Sequence, residues 1–214
     1  MMQNESGLRK LLSSPKIYSF FQFLMGGGHT ARQNFVNKHI NPVAGIRVLD
    51  IGCGPADILR YLPIVDYYGF DISEKYIEMA KKRYGNRGKF FLKKFEAADS
   101  LQLGSFDLII ASGLLHHLDD AEAGMLAKLT SESLAPNGRL VTIDPCYAQG
   151  QSVVASLLIS LDRGQHVRSK DQYAKLLSDA FLNIQAQVWH KNWMPYTHCV
   201  ITASGCKSQM RDII

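Results

Sequence analysis

Short apolar runs alternate with amphipathic stretches from Ile46 onward. The runs are VLDI, YYGFDI, KFFLKKF, FDLIIAS and RLVTID. Between them lie a helix predicted from about Asp57 and helical spacing in SEKYIEMAKKRYG and DDAEAGMLAKLTSESL. Strands that alternate with helices are typical of a parallel sheet covered by helices. The pattern therefore predicts an α/β fold.

This alternation breaks after Asp144. Residues 145–172 form a longer excursion, with an apolar helix near 153–161 and a second helix capped by Ser169 and Gln172. Two final strands are predicted around residues 184–189 and 197–203, joined by a turn. The expected architecture is five parallel strands closed by a hairpin.

Residues 1–44 precede the first strand and carry apolar side chains at mixed helical spacing. We interpret 1–44 as an N-terminal helical cap, 45–206 as the main domain and 207–214 as a tail. No segment approaches 18 uncharged apolar residues, and the N-terminus lacks the layout of a secretory signal. We therefore expect a soluble, cytoplasmic protein with no membrane span.

Charge and cysteine content refine this picture only slightly. The chain has 24 basic and 19 acidic residues, for a formal charge of +5. This balance mildly favours an anionic partner, but no basic tract indicates nucleic acid. The four cysteines are scattered without a CxxC pair, so we interpret them as thiols.

The segment VLDIGCGPADIL combines a buried strand, Asp50 near its end and a turn containing Gly52 and Gly54. Glycines here let a ligand approach the backbone. The third glycine of a dinucleotide fingerprint is replaced by Asp57, and carboxylates would repel a pyrophosphate. They suit a ligand with an ammonium beside a sulfonium, such as S-adenosylmethionine. A tight turn without a ligand is the alternative.

Asp71 ends the strand YYGFDI, 19 residues after Gly52. A carboxylate at this point can accept hydrogen bonds from both hydroxyls of a ribose. The position indicates adenosine without specifying the cofactor. The alternative role is helix capping, which Ser73 already supplies.

The strand FDLIIAS ends at Ser112, and His116 and His117 follow directly. Doubly wound sheets bind ligands at the edge where this strand ends. Adjacent histidines on a helical turn diverge, so one can pack while the other faces the cleft. A metal pair prefers i,i+4 spacing, so we predict no metal site.

Four motifs occur in order: LDIGCGP, GFDIS, FDLIIASGLLHHLDD and LAPNGRLVTID. Through them residues 45–145 resemble the class I, Rossmann-like S-adenosylmethionine-dependent methyltransferases of the small methyltransferase-domain group. The resemblance implies a doubly wound, mostly parallel seven-stranded sheet of order 3-2-1-4-5-7-6 with the last strand antiparallel. It also implies S-adenosylmethionine as cofactor, held by Asp50, Gly52, Gly54, Asp71, Ile72 against adenine, Ser112 and Leu114.

The end of the third strand departs from that family. Many relatives have Gly-Asp there, where the acid meets the adenine amino group, whereas this chain reads KFFLKKFEAAD. Lys94, Phe95 and Glu96 compete for the position. Phe95 can stack on adenine while Glu96 or a backbone group accepts from the amino group.

Methyl transfer from a sulfonium needs alignment of donor and acceptor, and a base only where the acceptor must lose a proton. His117 is the candidate base or positioning group, and a structural histidine is the alternative. We expect an enzyme that methylates a small-molecule or sugar-like acceptor. The alternatives are an RNA or protein methyltransferase and a non-catalytic cofactor-binding module.

The acceptor side is predicted from topology. Parallel strands end at the cofactor edge, which brings residues 145–168 and the loop 191–196 to one rim. From these segments Arg163, His166 and Arg168 could meet an anionic acceptor or form surface ion pairs, and Trp193 and Tyr196 could offer stacking surface.

Overall fold

The computed structural model describes residues 28–160, 164–190 and 196–208. The helices are α1 (Gly28–Phe35), α2 (Glu74–Tyr84), α3 (Ala97–Leu103), α4 (Asp120–Glu132), α5 (Val153–Ser160) and α6 (Lys170–Leu177). The strands are β1 (Arg47–Ile51), β2 (Asp66–Asp71), β3 (Gly88–Leu92), β4 (Phe106–Ser112), β5 (Leu134–Tyr147), β6 (Arg168–Ser169), β7 (Phe181–His190) and β8 (Thr197–Cys206).

The strands form one sheet of order β3-β2-β1-β4-β5-β8-β7. The first five pair in parallel, and β8 runs antiparallel to both β5 and β7. The predicted fold class and strand order are confirmed, because β7 and β8 are the sixth and seventh strands of the prediction. One feature is additional: the two-residue β6 pairs with the far end of β5.

Both faces of the sheet are covered, which is why its central strands are apolar throughout. One core cluster joins Leu49 and Ile109 to side chains of α4 and α6. The other joins Val48 and Ile110 to α2 and to the π-helical turn Val36–Ile40 that continues α1. The five parallel strands all end at one edge, hereafter the carboxyl edge.

Local chemistry sets the helix boundaries as predicted. The Ser73 hydroxyl accepts from the Tyr76 N–H at the start of α2. Ser169 and Gln172 cap α6 reciprocally, each side chain accepting from the other's N–H. These bonds satisfy backbone donors that the first turn of a helix leaves without partners.

Two local expectations differ from the structure. The helix expected from about Asp57 is a single 3-10 turn, Asp57–Arg60, because Pro63 cannot continue it. The helix α3 was not predicted, and it fills the stretch after β3. Of the predicted cap, residues 1–27 lie outside the described residues, so the division into 1–44, 45–206 and 207–214 stays a prediction.

Candidate active site

The glycine loop leaves β1 and crosses the end of β2. The N–H groups of Gly52 and Cys53 both donate to the Phe70 carbonyl, at 2.8 and 3.0 Å. Gly52 and Gly54 have φ values of 73° and 54°, in the left-handed region that L side chains rarely adopt. A Cβ on Gly54 would meet no atom within 4 Å, so open space lies over the loop.

Asp71 ties this loop to β2. One carboxylate oxygen accepts from the Gly54 N–H and the other from the Ser73 N–H, each at 2.8 Å. The side chain is half-buried, and a carboxylate oxygen can accept more than one hydrogen bond. Asp71 therefore both shapes the loop and keeps acceptor capacity toward the carboxyl edge.

Asp50 is buried beneath the loop. The Tyr67 hydroxyl donates to its carboxylate at 2.5 Å. The pKa of Asp50 is raised to about 7: burial is the largest cause, the Tyr67 hydrogen bond opposes the rise, and the nearby Asp71 charge adds to it. The site therefore contains a carboxyl group that titrates near neutral pH, and a nearby cation would favour its ionised form.

Ile72 projects from the carboxyl edge with 61% of its surface exposed, and Leu92 is also exposed at the end of β3. Phe95, in contrast, is buried in the core. Its ring packs edge-on against Phe70 at 5.1 Å and against Phe106 at 6.4 Å between centroids. The expectation that Phe95 stacks on adenine is therefore corrected, because the ring would have to leave the core to do so.

Ser112 and Leu114 lie where β4 ends. Ser112 is exposed, and Leu114 lies across the glycine loop, so that a Cβ on Gly52 would sit 3.5 Å from its Cδ1 atom. The structure thus brings together the ends of β1, β2 and β4 with the predicted residues Gly52, Gly54, Asp71, Ser112 and Leu114.

The two histidines after β4 differ in environment. His116 is buried, and its Nδ1 lies 2.8 Å from the Asp144 carboxylate at the carboxyl edge of β5. His117 is half-buried, and the two ring centroids are 4.1 Å apart. The expectation that one histidine packs is met by His116, while the role of His117 as a base stays a prediction.

Arg168 does not face an acceptor. Its guanidinium donates to Asp120 at 2.7 Å and to the carbonyls of Leu115, Leu118 and His166. The expectation that Arg168 meets an anionic acceptor is wrong, because its donors are used by the segment that carries the histidines. Arg163 and Trp193, named with it, lie outside the described residues.

The rim beside β5 carries apolar surface. On α5, Val153, Val154 and Leu157 are exposed, and Tyr147 is exposed at the end of β5. Near the start of β8, the rings of Tyr196 and His198 are 5.1 Å apart. The strands β7 and β8 place residues 190 and 197 at the carboxyl edge, in the register His190 opposite Thr197.

Several partners in this site were not foreseen, namely Tyr67 for Asp50, Asp144 for His116 and Asp120 for Arg168. Each pair is separated by 17 to 48 positions in the chain. No local pattern reports such contacts, although an acidic residue at the end of a predicted parallel strand, as at Asp144, was a usable signal. Among the described residues, no group of three His, Cys, Asp or Glu side chains is arranged to hold a metal ion.

Residues 49–140 match a family model described as a methyltransferase domain. The chain is similar to phosphoethanolamine N-methyltransferase 1 of Triticum aestivum, with 27% identity over 74% of this chain and 32% of that protein. It is also similar to 27-O-demethylrifamycin SV methyltransferase of Amycolatopsis mediterranei, with 36% identity over 47% of this chain and 39% of that protein. The chain thus spans only about a third of the length of these relatives.

Solved structures share the fold. A SAM-dependent methyltransferase from Archaeoglobus fulgidus superposes with a TM-score of 0.65 and 16% identity, covering 87% of this chain and 99% of that one. At this level of identity the likeness concerns the fold. In the described part of the chain, no helix is both long and apolar enough to cross a membrane.

Proposed function

We propose that this chain is a class I, Rossmann-like S-adenosylmethionine-dependent methyltransferase, that it binds S-adenosylmethionine at the carboxyl edge and that it methylates a small-molecule acceptor. The observation that carries the proposal is the glycine loop bonded to Asp71, with open space above Gly54. Small-molecule acceptors are also named for the wheat and Amycolatopsis relatives.

The residues at the carboxyl edge fit this cofactor. The loop of Gly52 and Gly54 receives its amino-acid end, beside the Asp50 carboxyl group. Asp71 retains lone pairs for the ribose hydroxyls, and the exposed Ile72 offers an apolar surface to adenine. Glu96 or a backbone carbonyl accepts from the adenine amino group, and Phe95, which packs in the core, takes no part in the contact with adenine.

The cofactor supplies an activated methyl group for an in-line displacement. The chain contributes alignment, which can account for a large share of the rate of a two-substrate reaction. Ser112 and Leu114 bound the floor of the cleft, and the segment after β4 carries His117 toward the acceptor side. The apolar surface of α5 and Tyr147 suits an acceptor with apolar parts, and Arg168 gives no support to an anionic one.

Calorimetry tests the cofactor half of this proposal. S-adenosylhomocysteine should bind, whereas NAD should not, because Asp50 and Asp57 disfavour a pyrophosphate. Tight NAD binding with no response to the sulfur ligand would overturn it. Transfer of a labelled methyl group to a panel of small alcohols, amines, thiols and sugars then tests the reaction. The cytoplasmic location and the sugar-like character of the acceptor stay predictions.

A further inference from the structure

Asp50 and Asp71 place two carboxyl groups at the glycine loop. Asp50 lies on β1 just before the loop, and Asp71, at the end of β2, accepts from the Gly54 N–H at 2.8 Å. In the part of the chain that the structure describes, no lysine, arginine or histidine forms an ion pair with either group. The described residues therefore give this end of the site two acidic groups and no positive charge to balance them.

Asp50 is the more confined of the two groups. It is 3% exposed, and among the described residues only the Tyr67 hydroxyl donates to its carboxylate, at 2.5 Å. The neighbouring strands place Gly69 and Ile110 beside it, neither of which has a polar side chain. An ionised carboxylate is costly in such surroundings unless a cation lies nearby. Below neutral pH, a proton on Asp50 therefore takes the place of that cation, in keeping with its raised pKa.

The titratable groups that face Asp50 add no positive charge. They are Tyr67 and Asp71 on β2 and Cys53 in the glycine loop, and Tyr84 of α2 lies near Tyr67. Burial raises the pKa of the Cys53 thiol, and the charges of Asp50 and Asp71 raise it further, so the thiol stays neutral. Because Cys53 belongs to the glycine loop, the field of both carboxylates extends to the loop itself.

The glycine loop leaves room for a ligand beside these two acids. A Cβ on Gly54, whose N–H is bonded to Asp71, would meet no atom within 4 Å. A positive charge that enters this space interacts with Asp50 through protein rather than through water, and Coulomb attraction in such a medium acts over several ångströms. The charge therefore favours the ionised form of Asp50 without having to touch the carboxyl group. A neutral or anionic ligand end gives no such stabilisation.

We infer that Asp50 selects a cationic ligand end at the glycine loop by exchanging its own proton for the positive charge of that ligand. When the ligand binds, the O–H bond of Asp50 breaks, the electron pair stays on the carboxylate and the proton passes to the solvent. Tyr67 is a positioning residue, because its hydroxyl donates to the carboxylate and stabilises the ionised form. The inference rests on the proposed function, in which the cationic end is the ammonium group of the cofactor.

Calorimetry with S-adenosylhomocysteine measures the exchanged proton. Titrations at pH 6.5 in buffers of different ionisation enthalpy should show the release of about 0.5 to 1 proton per ligand bound, and Asp50→Asn should release none. Wild-type affinity should fall about tenfold or more from pH 7.5 to pH 5.5, whereas Asp50→Asn should bind more weakly at pH 7.5 and change little with pH. Asp66→Asn, at the opposite end of β2, is the matched control and should keep the proton release and the pH dependence of the wild type.

The carboxyl carbon of Asp50 gives a direct readout by NMR. In protein labelled with 13C at its aspartate carboxyl groups, the Asp50 signal, assigned by its loss in Asp50→Asn, should titrate near pH 7 without ligand. S-adenosylhomocysteine should lower this midpoint by about one pH unit or more. Tyr67→Phe removes a hydrogen bond that favours the ionised form, so its midpoint without ligand should lie above that of the wild type. 5′-Methylthioadenosine lacks the ammonium group and should leave the wild-type midpoint unchanged.

Three results would each overturn the inference: binding of S-adenosylhomocysteine without proton release, an Asp50 midpoint that this ligand does not lower, or a pH dependence of affinity that persists in Asp50→Asn. Equal proton release with 5′-methylthioadenosine would overturn it as well, because the ligand's positive charge would then not be the cause. If the wild-type protein fails to bind S-adenosylhomocysteine, the proposed function fails. If it binds and Asp50 behaves otherwise than stated, only the role of Asp50 fails.

Discussion

The two halves of the carboxyl edge are built in different ways. At the ends of β1 and β2, the site consists of a glycine loop and Asp71, whose bonds to Gly54 and Ser73 span 17 and 2 positions. At the ends of β4 and β5, it consists of the His116–Asp144 pair and Arg168. Apart from the bond between Arg168 and the His166 carbonyl, the bonds of this half span 28 to 53 positions. The first half is held by bonds between the glycine loop and the adjacent end of β2. The second half depends on residues 164–168, which follow β5 and α5 in the chain and bond to the segment after β4.

Because of this difference, substitutions in the two halves should affect different properties, namely cofactor affinity in one and folding stability in the other. In the β1–β2 half, Asp71 keeps unused acceptor capacity and Ile72 keeps exposed surface, so changing either should mainly alter cofactor binding, whereas the buried Asp50 should affect both binding and stability. In the β4–β5 half, the guanidinium of Arg168 donates all its hydrogen bonds within the protein, so changing Arg168 should mainly lower the free energy of unfolding. Four substitutions test this separation, from the largest expected effect to the smallest.

Replacing Arg168 with leucine should destabilise the fold by about 3 to 5 kcal/mol, because the buried carbonyls of Leu115 and Leu118 lose their charged donor. Thermal unfolding should shift down by roughly 10 °C or more. Lys128→Ala removes an exposed i,i+4 pair and is the matched control, expected within about 0.5 kcal/mol. If the Arg168→Leu protein is as stable as the Lys128→Ala control, the bonds of Arg168 to the Leu115 and Leu118 carbonyls do not stabilise the fold.

Replacing Asp50 with asparagine should stabilise the protein at neutral pH and weaken cofactor binding. The folded-state pKa of about 7 lies above the unfolded value of 3.8, so wild-type stability falls as pH rises from about 4 to about 7. Asparagine can still accept the hydrogen bond from Tyr67 but does not ionise, so the variant should not lose stability over this range. The loss in the wild type amounts to at most about 4 kcal/mol. Melting temperatures from pH 4.5 to 8 measure the divergence.

Asp66→Asn is the control for that series. Desolvation alone would raise the pKa of the exposed Asp66, but the hydrogen bonds from Tyr68 and Lys89 and the charges of Lys89 and Arg47 together outweigh it and lower the pKa. Its contribution therefore has the opposite sign and is lost as pH falls through the folded pKa. Parallel melting curves for wild type and Asp50→Asn across the range would refute the assignment of a costly buried carboxyl group to Asp50.

The same contrast explains what the sequence could predict. The glycine loop, Asp71 and the caps at Ser73 and Ser169 follow from patterns a few residues long, the strand order follows from the family resemblance that four such motifs carry, and the structure has all of them. Phe95 and Arg168 were misassigned because their surroundings come from distant segments: Phe70 and Phe106 around the ring, Asp120 and the backbone after β4 around the guanidinium. Hydrophobic periodicity carries no information on such contacts.

Replacing Asp71 with alanine should weaken S-adenosylhomocysteine binding roughly tenfold or more, because each hydrogen bond to a charged acceptor contributes about 1.5 to 3 kcal/mol. Asp71→Asn keeps one acceptor oxygen and should lose less. Calorimetry gives the affinities, and circular dichroism checks the fold. Unchanged affinity in a folded Asp71→Ala protein would make Asp71 a turn residue only.

Replacing Ile72 with alanine should hardly change the free energy of unfolding, because 61% of its surface is exposed. The same change should reduce S-adenosylhomocysteine affinity about three- to tenfold. The reduction follows from the apolar area that adenine would cover on binding. Ile64 is the matched control, because it is 83% exposed and lies two residues before the start of β2, at the end of that strand opposite the carboxyl edge. Ile64→Ala should change neither property. Equal affinities for the two variants would mean that adenine does not contact Ile72, and the β1–β2 half would then bind through the loop and Asp71 alone.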